Sequence, residues 1–203
     1  RKGFLQETKV LERGSELLTN PVGAESVICK FITTTSVRVN PITLVNVEKK
    51  IDTRGKGSLR FDFAFDPGVK WDALQISPLR LYIHAELPTA LAVHELMTHH
   101  CAKIDIILDD GRVQFSVDPS ASVSPGGLDP SESLLPADPR SYWGYALLLE
   151  YFVYPEKFLF VDLKGFESCP RMETSPQKMS VLLTFDTGLP EDKPFGKENF
   201  RLY

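Results

Sequence analysis

Between Ser58 and Asp66 the chain alternates strictly: Leu59, Phe61, Phe63 and Phe65 fall on one side, Arg60, Asp62 and Ala64 on the other. A period of two specifies a β-strand with one face in a core, because successive side chains of a strand point to opposite faces. The pattern returns at Leu79 to Glu86, with Leu79, Leu81, Ile83 and Ala85 on one face. It is looser at Pro41 to Ile51, where Pro41 lacks an N–H and suits an edge strand. Val27 to Thr35 and Lys178 to Asp186 are further strand-like runs, and Val10 to Leu18 reads as a short hairpin. Asp109-Asp110-Gly111 is the turn of a hairpin joining 103–108 to 112–117. The period changes to that of a helix at Pro88-Thr89, running to His100, and again at Ser141 to Phe152. These elements do not alternate β with α. The expected fold class is therefore α+β, mainly antiparallel β-sheets with two principal helices.

Residues 118–140 hold five Pro and five Ser with the pair Gly126-Gly127, a composition that denies regular pairing. They are read as a connection between two lobes: 1–117, β-rich with the helix near 89–100, and 141–203, a smaller α+β lobe. The connection is expected to be exposed and weakly ordered, apart from a short turn near Pro130 to Leu134. The second helix is apolar nearly all round, with Glu150 its one charge, and so is expected to be buried on most sides. Phe158 to Leu163 follows as a strand apolar on both faces, which belongs inside a sheet.

With 42% hydrophobic residues and 25% charged, the chain has material for a core, and disorder throughout is excluded. Its net charge of −4, with signs interspersed, supports no basic surface for nucleic acid. No apolar run is long enough for direct membrane insertion, and Arg1 to Asn20 lacks the apolar stretch of a signal peptide. Cys29, Cys101 and Cys169 are widely spaced and read as buried reduced thiols. The ends, Arg1 and the strand-like Phe200 to Tyr203, are read as those of a segment of a longer polypeptide.

Candidate chemistry fails on spacing. His94-Glu95-Leu96-Met97-Thr98-His99-His100 is near the zinc-protease pattern, but that pattern needs histidines four apart on one helix face. Here they are five and six apart, pointing away from one another. Gly55-Lys56-Gly57-Ser58 lacks the upstream glycine and the following helix of a phosphate loop. No Gly-x-Ser-x-Gly elbow is present. Asp162, at a strand end, reads as a cap or a solvated carboxylate. Glu150 requires a cationic mate, Lys157 or Arg140. The reading is no enzyme: no catalytic residue, cofactor or metal ligand. What remains is aromatic. Trp143 is read as core, while Tyr142, Tyr145 and Tyr154, with Trp143 as the alternative, are candidate partner contacts.

One long stretch is similar to a known family. Leu134-Leu135-Pro136, then Ser141-Tyr142-Trp143-Gly144-Tyr145-Ala146-Leu147-Leu148-Leu149-Glu150-Tyr151-Phe152, then Tyr154-Pro155-Glu156-Lys157-Phe158-Leu159-Phe160-Val161-Asp162-Leu163 resembles the signature of TssF (ImpG, VasA), a bacterial type VI secretion baseplate subunit. Glu12 to Leu17, Cys29-Lys30-Phe31, and Leu79 to Ile83 with Leu87 to Ala90 agree with it. Ala146 and Leu149 stand where the family has Arg and Gln. The resemblance implies a cytoplasmic structural role in contractile-tail secretion, docked at the inner-membrane complex. It implies partners as well: TssG, the adaptor TssK, a TssE-like sheath initiator, a second TssF copy and the spike hub. The rival readings are a stand-alone β-rich ligand-binding module and a metal-dependent hydrolase using His94, His99 and His100.

Overall fold

The computed structural model describes residues 5–111, 113–135, 140–169, 175–190 and 195–203. Four short strands come first: β1 (Lys9–Leu11), β2 (Glu16–Leu18), β3 (Lys30–Ile32) and β4 (Val37–Val39). Two long strands, β5 (Ile42–Ile51) and β6 (Gly57–Phe65), precede β7 (Leu79–Ile83) and helix α1 (Leu87–His99). A hairpin follows, β8 (Cys101–Leu108) and β9 (Val113–Val117), then the one-turn helix α2 (Pro119–Ser122) and β10 (Val123–Pro125). Helix α3 (Trp143–Val153), β11 (Phe160–Leu163), β12 (Lys178–Phe185) and β13 (Phe200–Leu202) complete the strands and α-helices among the described residues. Every strand pairing among them is antiparallel, so the fold is α+β with mostly β content.

The main sheet has the order β5-β6-β12-β8-β9, with β5 at its edge as Pro41 suggests. Its register sets apolar rows across three strands: Phe61 beside Val181 beside Ile106, and Leu59 beside Leu183 beside Ile104. All six are buried. A second sheet, β10-β11-β7-β13, supplies Leu79, Leu81, Ile83, Val161 and Leu163 to the same core. Phe61 meets Phe200 of the second sheet edge-on at 5.0 Å. Helix α1 adds Ala90, Val93, Leu96 and Met97 to the core, while Leu91 stays half-exposed.

Three expectations change. Strands from both sides of 118–140 share both sheets: β12 lies between β6 and β8, and β11 lies between β10 and β7. The segment thus divides the sequence, but it does not divide the sheets. Nor is it uniformly exposed, since Ser122 and Val123 are buried and β10 is a rung of the second sheet. The expected turn is present over Pro130–Glu132, its first amide capped by Asp129. Residues 136–139 lie outside the described residues. Finally, β1 and β2 do not pair with each other. β1 pairs with β4 and β2 with β3 in one continuous register, Lys9 opposite Val39 and Glu16 opposite Ile32. Residues 9–39 therefore form one long interrupted ribbon, its tip closed by the bridge between Val22 and Val27.

Candidate protein interface

Helix α3 inverts the usual amphipathic rule. Glu150 is its single charge, and it is also the single residue of the helix that is fully buried. A buried carboxylate is tolerable only with its lone pairs satisfied. One oxygen, Oε1, accepts from Ser133 Oγ at 2.7 Å and from the Leu134 and Leu135 amides at 2.8 and 3.1 Å. The other accepts from Lys157 Nζ, itself buried. Lys157 is thus the mate among the two candidates from the sequence. Burial opposes the charge, but the hydrogen bonds from Lys157, Ser133 and Leu135 outweigh it and hold the carboxyl below its ordinary value.

A second ion network fixes the loop that supplies those amides. Arg80 on β7 lies opposite Asp162 on β11 in the sheet register and grips it with two bonds of 2.7 Å. The guanidinium also bonds Glu132, whose other oxygen accepts the Gly127 amide at 2.9 Å. Asp162 is therefore a buried partner of Arg80, correcting its reading as a cap or solvated group. Chiefly through its bonds to Asp162, Arg80 is held charged well above the ordinary arginine range. Gly127 adopts φ +81, and a Cβ there would press on the Lys157 carbonyl, so only glycine suits this turn. Arg13, at the base of the ribbon, donates to the Ser131 and Ser133 carbonyls at 3.3 and 3.2 Å.

With its charge turned inward, α3 points its apolar side chains outward. Tyr142, which precedes the helix, Tyr145 and Phe152 are 65%, 70% and 75% exposed, and Tyr154 is half-exposed. Leu148, Leu149, Tyr151 and Val153 are likewise exposed. Trp143 is 44% exposed, so the expected helix buried on most sides is instead a surface helix. Three of the four candidate contacts come together at the start of the helix, where the Tyr142 ring lies 6.0 Å from Trp143 and 5.9 Å from Tyr145, while Tyr154 stands apart at the far end. Sequence reasoning missed a second apolar surface. Leu17, Leu18, Ile28, Phe31 and Ile32 on the ribbon are exposed, although their strand-like, two-sided apolar pattern is readable in the chain.

Beneath α3 runs an apolar cleft of 420 Å³, lined by His94, Leu128, Leu147, Leu148, Tyr151 and Phe158 among others. The Nε2 atom of His94 is buried there with no hydrogen-bond partner among the described residues, and burial is the main cause of its lowered pKa. His100 bonds Asp186 at 3.0 Å, away from His94. Among the described residues, no three His, Cys, Asp or Glu side chains group as a metal ion would require. No helix among them is long and apolar enough to cross a membrane.

The family model described as type VI secretion system, TssF, matches residues 1–203. A curated relative, type VI secretion system component TssF1 of Pseudomonas aeruginosa, is 29% identical over an alignment of 178 positions that covers 81% of this chain and 28% of the relative. A chain of the cryo-electron microscopy structure of a type VI secretion TssK-TssF-TssG baseplate subcomplex matches with a TM-score of 0.84 at 27% identity. That match covers 98% of this chain and 37% of the other. The chain thus spans less than a third of the curated relative, and it belongs to the TssF family of type VI secretion systems.

Proposed function

We propose that this chain is a structural, non-enzymatic part of a type VI secretion baseplate wedge, and that the outer face of α3 is one of its docking surfaces. The carrying observation is the inverted helix: Glu150 is buried in a polar socket while Tyr142, Trp143, Tyr145 and Tyr154 are exposed. Exposed apolar patches of this kind mark interaction sites, and Tyr and Trp combine large contact area with a polar tip. Residues 141–149 and 151–154 carry no charge, so the partner face is apolar as well. TssG and TssK are the nearest partners, since a solved subcomplex of that composition contains the matching chain. A TssE-like initiator, a second TssF copy and the spike hub complete the proposed surroundings, on the cytoplasmic side of the inner membrane. The test is co-purification of whole TssF with TssG and TssK. A Trp143→Ala/Tyr145→Ala variant is expected to fold normally and lose at least tenfold in recovered complex. Recovery equal to wild type would remove α3 from the interface.

A further inference from the structure

Two exposed parts of the molecule, the ribbon of residues 9–39 and helix α3, hold opposite sides of one loop. The ribbon is interrupted where the pairing of β1 with β4 gives way to that of β2 with β3. Arg13 lies in that interruption. Its amide donates to Ser36 Oγ at 3.2 Å. The next two amides donate to Thr33, Gly14 to its carbonyl at 2.8 Å and Ser15 to its hydroxyl at 3.0 Å, and Gly14 takes φ +87. The alignment of the ribbon strands thus sets the main chain of Arg13, while its guanidinium reaches out to the Ser131 and Ser133 carbonyls.

One peptide group joins the two sides. The Ser133 carbonyl, which accepts from Arg13 at 3.2 Å, and the Leu134 amide, which donates to Glu150 at 2.8 Å, are the two ends of the Ser133–Leu134 peptide unit. A cation on the oxygen of such a unit strengthens its N–H as a donor, because hydrogen bonds in a chain polarise one another. The Ser133 hydroxyl donates to the same carboxylate oxygen at 2.7 Å. The loop has little freedom to absorb a displacement, since Glu132 is held by Arg80 and by the Gly127 amide at 2.9 Å, and Asp129 caps the turn. The helix has little to dilute one. Glu150 is the single fully buried residue of α3, so this socket is the best-enclosed tie between helix and body.

We infer that Arg13 couples the ribbon to α3 through the Ser133–Leu134 peptide group, so that the order of the helix depends on the alignment of the ribbon. A contact that shifts the ribbon at residues 12–15 is thereby felt at the helix that bears Trp143 and Tyr145. This coupling is a property of free TssF and needs no occupant on either surface.

Hydrogen exchange of whole TssF, followed by mass spectrometry, tests it, with peptides from α3 read against those from β6 and β12. Arg13→Ala is expected to speed exchange over residues 143–153 by about threefold or more, with β6 and β12 unchanged. Thr33→Val/Ser36→Ala loosens the interruption and keeps Arg13, and is expected to speed α3 as well. Arg38→Ala is the control. Arg38 belongs to the ribbon too, but it donates to the Ser77 carbonyl at 2.9 Å, and its loss should leave α3 at the wild-type rate. In a Glu150→Gln background, which lacks the charge that the peptide group serves, Arg13→Ala should speed α3 by a smaller factor than in wild type. Unchanged α3 exchange in Arg13→Ala would show that no coupling exists. Equal acceleration of α3, β6 and β12 would show a general loss of stability. No effect of Thr33→Val/Ser36→Ala would confine Arg13 to the loop, and an Arg38→Ala effect as large as that of Arg13→Ala would remove its special place. The same factor with and without the Glu150 charge would mean that the path bypasses the peptide group. Each of these five results overturns the proposal, and none depends on whether α3 docks a partner.

Discussion

Glu150 and Lys157 sit within the stretch by which the family was recognised, yet their chemistry is architectural. Removing one member of a buried pair strands the other, at a cost of about 3–5 kcal/mol, whereas replacing both with apolar residues of similar volume is often neutral. Lys157→Met is therefore expected to destabilise strongly, and Glu150→Leu/Lys157→Met to recover most of the loss in denaturant titrations. A double variant as unstable as the single one would show that the Ser133, Leu134 and Leu135 donors, not Lys157, dominate. The pair also carries a pH signature. The folded pKa of Glu150 is depressed, so its ionisation favours folding at neutral pH, and this contribution is lost as pH falls through the folded value. The stability difference between wild type and Glu150→Gln should be constant above about pH 5 and shrink below the ordinary glutamate value of about 4.3. A difference that grows in acid would contradict that sign.

Individual elements were legible where one face meets the core. The alternation of Leu59, Phe61 and Phe63 maps onto β6, and β11 is internal as its two apolar faces require. Periodicity failed at α3, because an apolar helix reads the same whether it is enclosed by its own chain or left for another. The only local clue was Glu150, and its socket is built from residues 133–135 and 157, which no helical period reports. The Arg80–Asp162 pair was equally hidden, since it depends on which strands are neighbours and in what register. The four aromatic candidates were legible as types; their exposure, and the contact of Tyr142 with Trp143 and Tyr145, were not. Because Trp143 is half-exposed, Trp143→Ala should cost less than about 1.5 kcal/mol, against about 3–5 kcal/mol for a buried Trp. Thermal melts of the segment check this, and a loss near the larger figure would place the indole in the core.

In the whole molecule, β12 joins what the sequence seemed to separate. Its Val181 lies between Phe61 and Ile106, so neither 1–117 nor 141–203 completes the main sheet alone. Two tryptophans make this measurable: Trp71 packs edge-on against Phe65 at 5.9 Å beside the main sheet, and Trp143 reports α3. The segment should unfold with coincident transitions by tryptophan fluorescence and circular dichroism, and Leu183→Ala should shift both by about 2–5 kcal/mol. Two separated transitions would restore independent lobes. The position of β12 also sets a timetable. A ribosome releases β6, β8 and β9 well before the strand that belongs between β6 and β8, and at about 5–20 residues per second the interval lasts several seconds. During that time Phe61 and Ile106 have no neighbour between them, and each nascent strand offers an open edge to any other chain nearby. The vulnerable moment of this protein is its synthesis, and it ends when β12 emerges.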